Sequence, residues 1–113
     1  MSVIAGFDIE TTGLEQARGH RIIEVAVSYY DLNTGRHFGA WVQRCNPQRP
    51  IEQGAQAVHG ITFEALTAEP VWDAVAPSLH KALSKADVIV AHNGVGFDLP
   101  FTNAEFQRIG LGV

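Results

Sequence analysis

The hydrophobic and polar positions in the first half of the chain predict three strands. Residues 2–9 form a short apolar run that carries a charge only at Asp8, and residues 11–13, Thr-Thr-Gly, end it with a turn. Residues 21–30 and 37–44 are rich in β-branched and aromatic side chains, and an Asn- and Gly-containing turn separates them. This arrangement predicts a strand followed by a β-hairpin.

The middle of the chain has the periodicity of a helix that contains a proline. Apolar residues recur at intervals of three, four, three and one and would form one stripe: Trp72, Val75, Leu79, Ala82 and Leu83. Pro77 falls inside this pattern, and an interior proline costs roughly 3 kcal/mol. The helix is therefore expected either to kink at Pro77 or to begin its regular part near that residue.

A further strand and a final helix complete the predicted order. Residues 87–91, Asp-Val-Ile-Val-Ala, form a short apolar run that suits a buried strand. The last helix is expected to begin near Asp98 with Pro100 in its first turn. Its inward side chains should be Phe101, Ala104 and Ile109. Strand–helix–strand alternation after a hairpin predicts an α/β domain, in which helices pack against a mixed sheet.

Composition and charge narrow the class of protein. Of the 113 residues, 46% are apolar and 18% are charged, which is ordinary for a globular protein and predicts one domain. With no long apolar segment, no signal-peptide pattern and only one cysteine, Cys45, we expect a cytoplasmic protein without disulfides or membrane contact. The net charge of −4 argues against avid nonspecific binding to nucleic acid, unless bound cations supply positive charge.

Two carboxylates lie at the end of the first predicted strand. Asp8 and Glu10 are two residues apart, so their side chains leave the same face of a strand, while Phe7 and Ile9 leave the other face. Neighbouring carboxylates repel each other unless a cation lies between them, and oxygen ligands favour hard cations such as Mg²⁺ or Mn²⁺. The alternatives are a solvated sheet face, or a Glu10 that is the first residue of the loop.

Asp98 is a third candidate ligand with a strong structural alternative. It stands at the predicted start of the last helix, where aspartate is a favoured N-cap. If residues 87–91 pair in parallel beside the first strand, however, the loops that leave both carboxyl ends meet in one crevice. Asp8, Glu10 and Asp98 would then converge there.

Four segments of the chain match known motifs in their correct order. Residues 7–14 resemble a first exonuclease motif, and His92-Asn93 followed by Phe97-Asp98 resembles the second. Residues 21–24 resemble the start of the second strand of the same family, and residues 58–62 its His-Gly-Ile element. The family is that of the DnaQ-like 3′→5′ exonucleases of the DEDD superfamily, and the resemblance is to proofreading domains of the DNA polymerase III epsilon type.

The resemblance implies a ribonuclease H-like fold, with three antiparallel strands, a fourth strand parallel to the first, and flanking helices. It also implies that Asp8 bridges two Mg²⁺ or Mn²⁺ ions, with Glu10 on one ion and Asp98 on the other. Such a pair of ions activates a water and stabilises the departing 3′ oxygen. The implied reaction releases 5′-mononucleotides from a single-stranded or frayed 3′ end of DNA, with RNA left open.

The resemblance also assigns six residues to the substrate side of the site: Thr11, Gly13, Leu14, His59, Asn93 and Phe97. The first two would bring the backbone close to the terminal nucleotide, and Leu14 and Phe97 would pack beside the last bases. His59 would border the cleft, or it would be a loop histidine before a helix cap at Thr62. Asn93 would orient the loop of the second motif.

The family's third motif, which supplies a histidine base and a further carboxylate, has no counterpart before Val113. We therefore expect residues 1–113 to be the N-terminal portion of an exonuclease domain, without its fifth strand and C-terminal helices. A positioned base contributes typically 10² to 10⁴-fold, so the chain alone is expected to be a weak enzyme. The strand at 87–91 would then be an exposed apolar edge, open to self-association.

Three functional hypotheses remain at this point. The first is a metal-dependent exonuclease, with DNA favoured by Thr11-Thr12 in the first motif and with a polymerase subunit as a partner. The second is a non-catalytic module that keeps nucleotide or nucleic-acid binding, or that serves as an accessory. The third is an unrelated α/β binding domain.

Overall fold

The computed structural model describes residues 2–91 and 97–111, and these contain a four-stranded sheet and three α-helices. The strands are β1 (Val3–Thr11), β2 (Ile22–Asp31), β3 (His37–Arg44) and β4 (Val88–Ala91). The helices are α1 (Gln53–His59), α2 (Trp72–Ser84) and α3 (Leu99–Arg108). Short 3-10 turns lie at Gln16–Arg18 and Glu64–Leu66.

The sheet has the strand order β3-β2-β1-β4. The pairs β1–β2 and β2–β3 are antiparallel, whereas β1 and β4 are parallel, with Phe7 opposite Ala91 at the end of β4. The predicted mixed α/β sheet is therefore confirmed. Because β1 and β4 run in the same direction, the chain leaves both strands at the same end of the sheet.

Strand β1 is longer than its apolar pattern indicated. It continues to Thr11, and its pairing with β2 shifts register between Glu10 and Thr11. Phe7 and Ile9 are buried on one face while Asp8 is exposed and Glu10 half-buried on the other, as the alternation predicts. Glu10 therefore belongs to the strand, and the alternative of a loop residue is wrong.

Helix α2 runs from Trp72 to Ser84 without a break at Pro77. The expectation that its regular part begins near Pro77 is therefore wrong. Pro77 is exposed, and the opposite side of the helix buries a stripe of five residues: Trp72, Val75, Ala76, Leu79 and Ala82. Full burial of a large apolar side chain contributes about 1.5–3 kcal/mol, so the stripe outweighs the roughly 3 kcal/mol cost of one interior proline.

The prediction for the inward face of helix α3 is confirmed for Phe101 only. Pro100 does lie in its first turn, but Ala104 and Ile109 are only half-buried. The buried residues are Phe101, Thr102, Glu105 and Phe106. The ring of Trp72 stacks on Phe106 with centroids 5.6 Å apart, and its Nε1–H donates a hydrogen bond to the Glu105 carbonyl at 3.1 Å. The Glu105 side chain is itself fully buried.

Strand β4 forms one edge of the sheet among the described residues. Val88, Ile89 and Val90 are 43%, 37% and 55% exposed, so the prediction of a buried strand is wrong for these side chains, although the strand itself is confirmed. The continuous apolar sequence of this segment correctly indicated a strand. It did not indicate whether other elements pack against the two faces of that strand. No helix in the described ranges is long and apolar enough to cross a membrane.

Candidate active site

A cleft of about 740 Å³ lies at the carboxyl end of β1, within the size range of ligand sites. Its walls come from the end of β1, the turn after it, α1 and the start of α3. Eight of the nine residues predicted for the site line this cleft: Asp8, Glu10, Thr11, Gly13, Leu14, His59, Phe97 and Asp98. The ninth, Asn93, lies outside the described residues.

The three carboxylates differ in their exposure to solvent. Asp8 is exposed, Glu10 is half-buried and Asp98 is only 3% exposed. Burial raises the pKa of Glu10 above its usual value, and the negative charge of Asp8 raises it further. His59 opposes this rise, whereas Glu24 and Asp98 add to it. Asp8, Glu10 and Asp98 therefore line one cleft, as the sequence predicted.

Asp98 does not act as the N-cap that its position suggested. It precedes the first residue of α3, but its backbone angles are helical (φ −60°, ψ −48°) and its side chain makes no capping hydrogen bond. An N-cap residue normally has an extended backbone and accepts a hydrogen bond from the first turn. Capping therefore does not explain a buried aspartate at this position in the cleft wall.

The donor chemistry of the cleft suits a hard cation. Its carboxylates offer oxygen ligands and repel one another, which favours Mg²⁺, Mn²⁺ or Ca²⁺ over softer metals. Among residues 2–91 and 97–111, however, no group of three or more His, Cys, Asp or Glu side chains is already arranged around a metal-sized centre. Any ion that uses Asp8, Glu10 and Asp98 together must therefore draw these side chains closer.

Glu10→Gln should stabilise the metal-free chain at neutral pH. Since the pKa of Glu10 is raised in the folded state, its contribution to stability is present below the usual glutamate pKa and is lost as the pH rises through the raised value. Glutamine does not ionise, so the variant should escape this loss. In EDTA, the urea midpoints of the two proteins should agree near pH 3 and diverge in favour of the variant by about pH 7. A variant that is less stable than the wild type at about pH 7 would contradict this assignment of the charge repulsion.

His59 has both of its ring nitrogens engaged. The Ile61 N–H donates to Nδ1 at 3.0 Å, which leaves the proton on Nε2 to donate to the Thr11 carbonyl at 3.1 Å. His59 is the last residue of α1, so it joins the end of that helix to the end of β1. His59 lines the cleft as expected. The alternative of a loop histidine is wrong, because His59 lies in α1, although the Thr62 hydroxyl does accept the Ala65 N–H at 3.2 Å.

Apolar side chains surround the cleft beside the carboxylates. Leu14 is 78% exposed, and the half-buried Phe97 ring packs against Phe101 with centroids 5.4 Å apart. Val58 of α1 is 85% exposed and also lines the cleft, although sequence reasoning assigned it no role. Exposed apolar residues gathered at one cleft indicate a contact surface for a ligand with apolar faces.

The residues around the turn after β1 include two that the sequence did not reveal. Glu52 lines the cleft just before α1, and His20 lies buried beneath the turn, where it contacts Thr12 and Glu52. The sequence pattern assigned His20 no role. A polar residue ahead of a strand gives no signal of burial, so only the tertiary structure could identify this contact.

Strand order and cleft position together are those of an α/β domain of the ribonuclease H-like class. A family model described as an exonuclease, RNase_T, matches residues 5–112. The chain therefore belongs to this exonuclease family.

Curated relatives of the chain are DNA polymerase III subunits. The epsilon subunit of Rickettsia typhi is 37% identical over 104 residues, which cover 90% of this chain and 43% of the relative. The epsilon subunit of Buchnera aphidicola is 40% identical over 106 residues, which cover 88% of this chain and 43% of the relative. The chain thus spans less than half the length of these epsilon subunits.

Solved structures of exonuclease I superpose closely on the chain. Product-bound exonuclease I has a TM-score of 0.89 at 26% identity, over 99% of this chain and 27% of that one. Escherichia coli exonuclease I in complex with a dT13 oligonucleotide, and its zinc-bound complex with single-stranded DNA, give the same TM-score and identity over 99% of this chain and 25% of each. The likeness confirms the ribonuclease H-like fold.

Proposed function

We propose that residues 1–113 are the N-terminal portion of an exonuclease domain that removes 5′-mononucleotides from the 3′ end of single-stranded or frayed DNA. The observation that carries the proposal is the convergence of Asp8, Glu10 and Asp98 on one cleft at the end of the parallel β1–β4 pair. Family membership supports the reaction class. The relatives are polymerase subunits, which supports a polymerase as a partner.

Under this proposal, Asp8, Glu10 and Asp98 would hold two divalent cations, Mg²⁺ or Mn²⁺. When bound, the ions would supply positive charge to the phosphodiester and lower the pKa of an attacking water. The acidic cleft of a chain with net charge −4 would otherwise repel a phosphate, so binding of nucleic acid should depend on the cation. A bound cation would favour the ionised form of Glu10, because its positive charge would offset the burial and the negative charges that raise the pKa of Glu10.

The apolar rim supports a substrate whose bases are unpaired. Leu14, Val58 and Phe97 offer apolar surface beside the carboxylates, and such surface accepts a base of any sequence by its flat face. Exonuclease I, which matches this chain in fold, has been solved with single-stranded DNA oligonucleotides, which favours DNA over RNA.

Self-association through β4 stays a prediction.

The alternative is a non-catalytic module that binds metal and nucleotide. One observation favours it, namely that no metal-sized centre is already formed by three or more ligand side chains within the described ranges. A cleft of this kind could retain a weakly held cation without positioning a water for attack.

A polarity assay separates the two functions. We expect the chain with Mn²⁺ to shorten a 5′-labelled single-stranded DNA stepwise, to release the label of a 3′-labelled strand as a mononucleotide, and to do neither in EDTA. Binding of the DNA with Mn²⁺ but without cleavage would favour the non-catalytic module. If the folded chain neither binds nor cleaves DNA or RNA, both forms of the proposal are wrong.

A further inference from the structure

A chain of hydrogen bonds runs beneath the turn that follows β1. His20 is 4% exposed, and its Nδ1 lies 3.0 Å from the Thr12 hydroxyl oxygen. Its Nε2 lies 3.0 Å from a carboxylate oxygen of Glu52, whose side chain is 59% exposed. We refer to Thr12, His20 and Glu52 as the brace.

Neighbouring donors determine the direction of these bonds. The Arg21 N–H donates to the Thr12 hydroxyl oxygen at 3.0 Å, so the hydroxyl hydrogen can donate to Nδ1 of His20. The remaining ring proton then lies on Nε2 and donates to the Glu52 carboxylate. A hydroxyl, an imidazole and a carboxylate in this order also occur in nucleophilic enzymes, but Thr12 is fully buried and cannot reach a substrate. The brace is therefore a structural arrangement.

Backbone bonds extend the brace to both sides of the turn. The Thr12 carbonyl accepts the Glu52 N–H, and the Thr12 N–H donates to the Arg21 carbonyl, each at 2.9 Å. Thr12 is thus bonded through its backbone and its side chain to the start of β2 and to the residue that precedes α1. Movement of the turn would break bonds in both directions.

The His20 ring also packs closely against the backbone of the turn at Gly13. A Cβ atom added at Gly13 would lie 2.4 Å from the ring, well inside van der Waals contact, so only glycine allows the backbone to lie this close. Gly13 faces the cleft on its other side. The buried imidazole thus packs directly against the backbone that lines the cleft.

We propose that the brace positions the substrate wall of the cleft, independently of the carboxylates that would bind metal. Its links lead to Gly13 in the turn and, through Glu52, to α1, which carries Val58 and His59. Neither Thr12 nor His20 lines the cleft. Thr12 and His20 are therefore positioning residues for the nucleic acid, and this inference rests on the proposed function.

Thr12→Val removes the hydroxyl while keeping the shape of the side chain. We expect the KM for single-stranded DNA to rise about tenfold, as befits the loss of one buried hydrogen bond, while the Mn²⁺ dissociation constant changes by less than about twofold. Thr12→Ser restores the hydroxyl and should restore KM. The matched control is Thr67→Val, which removes an exposed hydroxyl that donates to the Glu64 carbonyl outside the cleft.

A merely structural Thr12 would give a different result. Partial unfolding would lower kcat and the Mn²⁺-binding fraction together and leave KM unchanged, which would overturn the inference, as would a Thr12→Ser protein no better than Thr12→Val. If the wild type neither binds nor cleaves nucleic acid, the proposed function fails and amide hydrogen exchange decides about the brace. The brace then requires faster exchange of the Glu52 amide in Thr12→Val but not in Thr67→Val, and equal exchange would overturn it.

Discussion

Asp8→Asn should lower kcat/KM for Mn²⁺-dependent cleavage by about 10³-fold, the largest effect expected of any single substitution in this chain. The substitution keeps the size of the side chain and removes the charge of an exposed carboxylate in the cleft. A bound cation stabilises the transition state by several kcal/mol, and each 1.36 kcal/mol corresponds to a tenfold change in rate. Steady-state cleavage of a 5′-labelled single strand measures the loss.

The expected cause is loss of the cation, so metal binding must change with activity. Mn²⁺ should raise the thermal midpoint of the wild type and have little effect on that of Asp8→Asn, because only an ion that binds the folded state stabilises it. Asp73→Asn is the control, since Asp73 is exposed in the first turn of α2 and does not line the cleft. An Asp8→Asn protein that cleaves at the wild-type rate would remove Asp8 from the set of ligands.

The sequence was sufficient to predict the features that depend on local pattern. Period-two alternation placed Asp8 and Glu10 on one face of β1, and the burial of Phe7 and Ile9 confirms it. The parallel pairing of β4 beside β1 entered the pattern analysis only as a condition and was implied by the family resemblance, and the observed register confirms it. Asp98 needed the family resemblance, because position alone favoured a helix cap.

The features that were missed depend on partners distant in sequence. His20 and Glu105 are buried in the structure. Polar residues of these types are usually exposed, and the sequence around each gives no sign of burial. His20 can be buried because Thr12 and Glu52 bond to its ring. Glu105 can be buried because arginine side chains pair with its carboxylate. Local pattern reports which face a residue takes, whereas the polar partners that permit burial are set by tertiary packing.

One arginine links these two buried groups. The guanidinium of Arg21 donates to the His20 carbonyl at 2.9 Å and lies 3.3 Å from a carboxylate oxygen of Glu105. Helix α3 is thereby connected, through Arg21, to the segment that carries the brace. The helix that follows Asp98 and the turn that follows β1 therefore share a buried polar contact, which holds two walls of the cleft in a fixed relation.

Glu105→Ala should reduce the free energy of unfolding by about 1.5–3 kcal/mol, because it removes the buried carboxylate that accepts hydrogen bonds from two partly buried arginines. The carboxylate is fully buried and lies 3.3 Å from Arg21 and 2.7 Å from Arg108, and alanine would leave both guanidinium groups without it and open a cavity in its place. A domain of this size has only about 5–15 kcal/mol of stability, so the urea midpoint should fall steeply while the slope of the transition stays unchanged.

Gln107→Ala is the matched control, because Gln107 is exposed on the same helix and its loss should change stability by less than about 0.5 kcal/mol. Glu105→Leu separates charge from volume, since leucine fills the space but offers no acceptor to Arg21 or Arg108. If paired charge is what matters, the leucine variant remains well below the wild type in stability. A leucine variant as stable as the wild type would show that Glu105 contributes to stability only by filling space. The polar link between α3 and the turn after β1 would then not contribute to the free energy of unfolding.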